Sequence, residues 1–153
     1  MIYRLERVTF IPRSKREVFA FFSEAHNLER ITPPFLKFHI LTPGPIAMQA
    51  GTLIDYELTL HGLQMRWRTR IEEFVDGSYF ADVQLKGPYR MWRHRHDFED
   101  AEGGTQMTDR VGYELPFGPL GQFARWLFVR RQVEQIFNYR NEVIVKEFGS
   151  AAA

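Results

Sequence analysis

Six strand-like segments joined by short turns precede one long helical segment, and this order leaves few folds open to the chain. The predicted strands cover residues 36–42, 52–60, 63–74, 79–86, 89–98 and 105–115. Connections as short as HG (His61 and Gly62), DGS and GP separate several of them. Turns of this length join antiparallel neighbours, so we predict a meandering antiparallel sheet.

The N-terminal part of the chain predicts one further strand and two short helices. The stretch YRLERVTFI at residues 3–11 alternates loosely between polar and apolar side chains, as a strand does. Ser14 and Glu17 have the spacing of a helix-capping box. The helix that they begin is predicted to break near Ser23, and Pro33 and Pro34 end its second half.

The closing segment predicts a single long helix, because it contains neither Pro nor Gly between Gly121 and Phe148. Its apolar residues at helical spacing are Phe123, Leu127, Phe137, Ile144 and Phe148. A helix of about 28 residues would be about 42 Å long. A curved sheet wrapped around this helix need not touch the helix along its whole length. We therefore predict an α+β fold with a cavity between the sheet and the C-terminal helix.

Length and composition exclude several classes of protein. The 153 residues favour one domain, placed at residues 1–149, with residues 150–153 as a disordered tail or an artificial addition. A net charge of +1 gives no general attraction for nucleic acid. The absence of Cys excludes disulfides, thiolate metal sites and a Cys nucleophile. Charges within the first apolar stretch argue against a signal peptide, and no apolar run reaches membrane-span length. We expect a cytoplasmic protein with no integral membrane association.

Alternation along the strands predicts which side chains face the cavity, on the assumption that the inner face is the more apolar one. The inner residues of 52–60 and 63–74 are Ile54, Tyr56, Leu58, Leu60, Leu63, Met65, Trp67, Thr69 and Ile71. Those of the last two strands are Trp92, His94, His96, Phe98, Met107, Asp109, Val111, Tyr113 and Leu115. The two histidines of the HRH motif therefore share a face with aromatic residues, and Asp109 lies on the neighbouring strand.

The inner face of residues 79–86 is ambiguous from alternation. Ala81, Val83 and Leu85 form an entirely apolar face, which alternation alone would place inside. The opposite face carries Phe80, Asp82 and Gln84.

The histidine pair admits three functional interpretations. With Asp109 it could bind Zn²⁺ or iron, but no second histidine or acid motif accompanies it, and we predict no metal. One histidine paired with Asp109 could act as acid and base in a dry pocket, while Tyr56 and Tyr113 polarise a carbonyl. The interpretation we favour is that the three groups anchor the polar part of a ligand in an aromatic cavity. A purely structural pairing of buried side chains is the fourth possibility.

The order of elements and several motifs resemble the SRPBCC superfamily, whose members are helix-grip domains related to START proteins and birch-pollen allergens. The motifs are PP at 33–34, RWRTRIEEF at 66–74, FADVQLKGPYRMWRHRHDF at 80–98, GGTQMTDRVGYELPFGPLG at 103–121 and FNYR at 137–140. More narrowly, the whole chain is similar to bacterial ligand-binding and polyketide cyclase/dehydrase-like members. The resemblance implies that Phe80, Asp82 and Gln84 face inward. It also makes Arg140 of FNYR a candidate for ligand contact as well as for a structural ion pair.

We therefore expect the chain to bind a small hydrophobic or aromatic molecule without a cofactor. The resemblance suggests a lipid, an isoprenoid quinone or a polyketide-like compound. The side chains expected to contact it are Tyr56, Leu58, Trp67, Asp82, Gln84, Trp92, His94, His96, Phe98, Asp109, Tyr113, Phe123 and Leu127.

Two other functions stay open, and the role of one predicted lid segment is also open. The first is a cofactor-independent cyclase or dehydratase that uses His94 or His96 with Asp109. The second is an interaction protein with a vestigial cavity. Residues 26–51 are the predicted lid, in which Ile46 and Met48 could guard an entrance, mediate a dimer, touch a membrane surface or pack as ordinary loop residues. The sequence gives no indication of the oligomeric state.

Overall fold

The computed structural model describes residues 1–60 and 62–149. His61 and the predicted tail at 150–153 lie outside the described residues. The strands are β1 Tyr3–Ile11, β2 His39–Ile40, β3 Leu53–Leu60, β4 Leu63–Val75, β5 Tyr79–Lys86, β6 Met91–Ala101 and β7 Gly104–Glu114. The helices are α1 Lys15–Phe22, α2 Asn27–Arg30, α3 Gly118–Ala124 and α4 Arg130–Phe148, with a 3-10 turn at Pro34–Leu36 and a π-helical turn at Arg125–Val129.

The strands form one antiparallel sheet in the order β1-β7-β6-β5-β4-β3-β2. Each of β3 to β7 pairs with its neighbour in sequence, as the short connections predict, and β1 adds to the far side of β7. The predicted α+β architecture is confirmed, including the short helices after β1 and the long helical segment after β7. That segment contains a π-helical turn between α3 and α4, which helical periodicity did not indicate.

The predicted strand at residues 36–42 is wrong for most of its length. Only His39 and Ile40 form a strand ladder with β3, and the backbone N–H groups of Leu41 and Thr42 both donate to the single carbonyl of Asp55. Pro34 begins a 3-10 turn, and Lys37 ends it in the left-handed region with φ of 47°. The backbone therefore leaves the extended conformation just where the alternating pattern predicts a strand.

The core joins the sheet to both helical layers. Ser14 caps α1 by accepting a hydrogen bond from the backbone N–H of Glu17. This helix packs Phe19 and Phe22 onto Phe80 and Phe98 of the sheet. On the C-terminal helix, Ile144 and Phe148 join this cluster, and Val133 and Phe137 join a second one with Val111, Tyr113 and Leu115 of β7 and its end. Among the described residues, no helix is long and apolar enough to span a membrane.

Candidate functional site

An interior cavity of about 180 Å³ lies between the sheet, the short helices and α4. The space is larger than a few trapped waters need, because about 10–15 Å³ of such volume holds one water molecule. The helices and the loops around β2 contribute Phe22, Ala25, Leu28, Ile31, Leu36, Phe38, Ile40, Met48, Val133, Ile136, Phe137 and Arg140. The strands and the turn after β5 contribute Ile54, Tyr56, Leu58, Leu60, Trp67, Thr69, Ile71, Phe80, Asp82, Tyr89, Trp92, His94 and His96.

One wall of the cavity is built from aromatic rings. Tyr56 stacks on Trp67 with ring centroids 5.7 Å apart and planes 23° apart. Trp67 meets Trp92 edge to face at 5.5 Å, and Tyr89 packs against both tryptophans. These residues come from β3, β4, β6 and the turn after β5, so neighbouring strands assemble the wall. Rings in this arrangement offer flat apolar surface with a few polar edges, which suits a ligand that carries a ring.

A buried polar cluster lies beside the aromatic wall. His94 Nε2 is 2.8 Å from Asp109 Oδ1, and His96 Nδ1 is 3.2 Å from the same oxygen. Arg140 Nη2 of α4 lies 3.5 Å from that oxygen and 3.4 Å from His96 Nδ1. The four side chains are all buried. Both charged groups and both rings therefore depend on each other for hydrogen bonds and charge compensation.

A second carboxylate, Asp82, approaches the cluster from the cavity side. Its Oδ2 lies 3.4 Å from His96 Nε2. In the β5–β6 register Asp82 is opposite His94 and Phe80 is opposite His96, and all four residues line the cavity. This confirms the inward face that the family resemblance implies for Phe80 and Asp82. The wholly apolar alternative was wrong, since Leu85 is exposed.

Burial and charge give the members of the cluster different protonation states. Burial, with the positive charge of His96, lowers the pKa of His94 to about 4 despite its bond to Asp109. Burial also acts against protonation of His96, but contacts with Asp109 and Asp82 outweigh it and raise the pKa of His96 above its ordinary value. Burial likewise disfavours ionised Asp109, yet Arg140 and the histidines hold its pKa well below the usual range. At neutral pH, Asp109 is therefore a carboxylate and His94 a neutral base.

Asp82, His94 and His96 also form a group that could hold a metal ion. One potential ligand atom from each lies within 4.8 Å of the others, and two histidines with a carboxylate are a known set for zinc or iron. The carboxylate is Asp82 rather than Asp109, which the sequence favours as the third ligand. Contacts within the protein already engage these groups, because His94 bonds to Asp109 and His96 lies near Asp82.

The structure brings together many of the residues that the sequence predicts for the site. Those that line the cavity are Tyr56, Leu58, Trp67, Asp82, Trp92, His94 and His96. Asp109 lies behind the histidines rather than at the cavity surface. Gln84 also does not reach the cavity lining, because its side-chain amide bonds to both the backbone N–H and the backbone carbonyl of Tyr89.

Four further residues of the predicted set lie elsewhere. Phe98 and Tyr113 are buried in the two core clusters. Phe123 and Leu127 are exposed on the surface and do not line the cavity, so the prediction that they contact the ligand there is wrong. The π-helical turn between α3 and α4 changes the helical spacing. The apolar side of α4 therefore does not continue to Phe123 and Leu127.

Several lining residues were missed by the sequence reasoning. Val133, Ile136 and Phe137 belong to the inner face of α4, and its helical spacing was a signal for them. Arg140 was singled out only by the family resemblance. Met48 of the predicted lid lines the cavity, whereas Ile46 packs against the cluster of Ala25, Ile54 and Ile71.

Comparisons with known proteins agree with this architecture. Residues 11–139 match the family model described as polyketide cyclase / dehydrase and lipid transport. No curated protein sequence matches the chain. Among solved structures, the chain is similar to the Zhui aromatase/cyclase from Streptomyces sp. R1128, with a TM-score of 0.74 and 15% identity over 96% of this chain and 93% of that one.

Two further structures illustrate the spread of the likeness. Ara h 8.0201 has a TM-score of 0.61 and 13% identity over 95% of this chain and 99% of that one. A nucleoside-diphosphate sugar epimerase from Corynebacterium glutamicum has a TM-score of 0.63 and 26% identity, but the match covers 93% of this chain and only 28% of that one. At the low identities of the aromatase/cyclase and of Ara h 8.0201, the likeness shows a shared fold.

Proposed function

Because the chain belongs to the family of polyketide cyclases, dehydrases and lipid-transport proteins, within the SRPBCC helix-grip superfamily, we propose that it binds one small hydrophobic or aromatic molecule in its interior cavity. Proteins of this family bind hydrophobic ligands or act as polyketide cyclases and dehydrases. In this proposal, residues 1–149 form one ligand-binding domain, and the ligand is released chemically unchanged.

The observation that carries the proposal is a pair of buried donor groups without partners among the residues that line the cavity. Trp67 Nε1 and Arg140 Nε are buried and make no hydrogen bond with any described residue, and both residues line the cavity. A buried donor without an acceptor costs roughly 1–3 kcal/mol. A ligand that carries an acceptor oxygen at each position would remove this cost on binding.

These donors and the aromatic wall together define the class of ligand. We propose a flat ring system that packs against Tyr56, Trp67 and Trp92 and carries carbonyl or hydroxyl oxygens. One oxygen accepts from Trp67, and another meets the polar cluster of Asp82, His94, His96 and Arg140. Isoprenoid quinones and polyketide-like compounds both have this chemistry.

Replacement of Trp67 by Phe tests the oxygen contact while keeping an aromatic ring. We expect the affinity for 1,4-naphthoquinone, measured by titration calorimetry, to fall about 3- to 10-fold, because one hydrogen bond is worth roughly 0.5–1.5 kcal/mol. Trp126→Phe, a change at an exposed tryptophan that does not line the cavity, is the matched control and should bind as the parent does. Unchanged naphthoquinone affinity in Trp67→Phe would show that the indole N–H is not part of the site.

The contacts of His94 support a second candidate function, that of an enzyme. Its Nε2 lies at hydrogen-bond distance from Asp109, which Arg140 fixes in turn, and its low pKa keeps the ring neutral at physiological pH. When Nε2–H donates to Asp109, Nδ1 carries the lone pair and can take a proton from a carbon beside a substrate carbonyl. Such a step begins a cyclisation or a dehydration.

Replacement of His94 by Gln separates the binder from the enzyme. For a binder, we expect no turnover of an aromatic poly-β-ketone mimic by the parent protein, and a change in naphthoquinone affinity of less than roughly tenfold, about one hydrogen bond's worth. Turnover by the parent protein that is lost in His94→Gln and kept in His39→Gln, a change at an exposed histidine of β2, would establish the enzyme instead.

A further inference from the structure

Large apolar side chains are exposed along α3 and the π-helical turn. Phe117 is 80% exposed, Leu120 75%, Phe123 59% and Trp126 74%. We call these four residues the α3 face. The last three follow one another at intervals of three residues, which places them on one side of a helix. Exposed apolar residues in such a cluster commonly mark an interaction site in a soluble domain.

The backbone at the start of α3 adds a second observation. Phe117 adopts φ of 71°, in the left-handed region. Glycine or asparagine would occupy this conformation with less strain, whereas a bulky residue there is uncommon. The ring nevertheless points to solvent and contributes little to the core. Strain at an exposed aromatic residue suggests that the ring serves something outside the chain.

Between Glu114 and Glu134, the sequence that includes the α3 face carries only positive charges. Residues 115–133, LPFGPLGQFARWLFVRRQV, contain three Arg and neither Asp nor Glu. Arg125 lies over the ring of Tyr3 at 3.8 Å, while Arg130 and Arg131 are exposed. Arg130 also contacts Glu134 at 3.4 Å. Trp, Phe and Leu beside exposed Arg are the composition of segments that lie at a bilayer surface.

We propose that the α3 face docks the protein on a lipid bilayer that contains anionic headgroups. The apolar side chains enter the boundary between headgroups and acyl chains, and Arg131 contacts the phosphates. A second copy of the chain is the less favourable partner. In a two-fold dimer the same patch meets itself, so the arginines of one copy would approach those of the other.

Docking at this face also brings the bilayer close to the ligand cavity. A surface groove beside the face is lined by Phe35, Leu127, Arg131 and Gln135, among others. The chain neighbours Leu36 and Ile136 line the cavity itself. A hydrophobic ligand that enters between these elements would pass from the bilayer to the cavity over a short distance. The membrane contact stands on the exposed surface alone, however, and does not depend on which ligand binds.

Cosedimentation with vesicles tests the proposal. The intact chain should bind vesicles of phosphatidylcholine mixed with phosphatidylglycerol, and bind vesicles of phosphatidylcholine alone more weakly. Trp126→Ser and Arg131→Glu should each reduce partitioning roughly fivefold or more. The matched controls are Leu85→Ser on β5 and Arg16→Glu on α1, which change exposed residues away from the face. Both controls should bind as the parent does, and circular dichroism should show all four variants folded.

Three results would overturn the inference. The first is a parent protein that sediments with neither type of vesicle. The second is that the variants at Trp126 and Arg131 bind as well as the controls. The third is a dimer, seen by light scattering, that Trp126→Ser dissociates, because the α3 face would then be covered by a second copy. None of these results bears on the cavity, whose ligand is measured without vesicles.

Discussion

Replacement of Asp109 by Ala is expected to lower the free energy of unfolding by about 3–5 kcal/mol, as removal of one partner from a buried ion pair does. Asp109 is 3% exposed, and its Oδ1 atom lies within 3.5 Å of Arg140, His94 and His96. Without this carboxylate, the guanidinium of Arg140 stays buried and its main counter-charge is lost. Urea unfolding monitored by circular dichroism measures the change from the midpoint and slope.

Asp55→Ala is the matched control for this change. Asp55 contacts Arg68 at 2.7 Å, but the side chain of Asp55 is 41% exposed and that of Arg68 is 48% exposed. Exposed pairs contribute about 0–1 kcal/mol, so the control should change the unfolding free energy by no more than that. A loss in Asp109→Ala as small as in Asp55→Ala would mean that the four buried side chains do not form a coupled network.

Replacement of Thr69 by Trp is expected to weaken binding of 1,4-naphthoquinone by about 100-fold or more, equivalent to about 2.8 kcal/mol. Thr69 lies on β4, is 5% exposed and lines the cavity beside Tyr56 and Trp67. An indole at this position would occupy space that the ligand needs. Because the new ring enters an existing cavity, the melting temperature should change little, which separates blocked binding from unfolding. Titration calorimetry and a thermal melt give the two values.

Thr69→Val keeps the shape of the side chain and serves as the control. Its affinity for naphthoquinone should stay within a few-fold of the parent. If Thr69→Trp is folded and still binds like Thr69→Val, the ligand does not occupy the interior cavity, and the proposed site is wrong.

Strand periodicity was sufficient to predict most of the inner faces of the sheet. Polar and apolar residues alternate cleanly in the strands around Trp67 and around His94. A period of two then assigns each side chain of these strands to the inner or the outer face. β5 lacks this contrast, because Ala81 and Val83 oppose Phe80 and Asp82. Only the register with β6, which places Asp82 opposite His94, fixes its inward face. That register depends on contacts between strands rather than on the β5 sequence.

The long helix shows a different limit of sequence reasoning. Its apolar spacing predicts which residues share a side, but the π-helical turn at Arg125–Val129 changes the number of residues per turn. A stripe extended from Phe137 back to Phe123 therefore leaves the side that packs on the sheet. Arg140 and Asp109 meet only after the sheet and helix pack together, so neither local pattern indicates their contact.

The central claim is that a hydrophobic or aromatic molecule occupies the interior cavity. Native mass spectrometry of freshly purified protein, followed by organic extraction and identification of the extract, tests it most directly. We expect one bound molecule per chain, with a ring and acceptor oxygens, which Thr69→Trp no longer retains. A protein that carries nothing, and whose melting temperature no member of a panel of lipids, quinones and polyketide-like compounds raises, would contradict the claim.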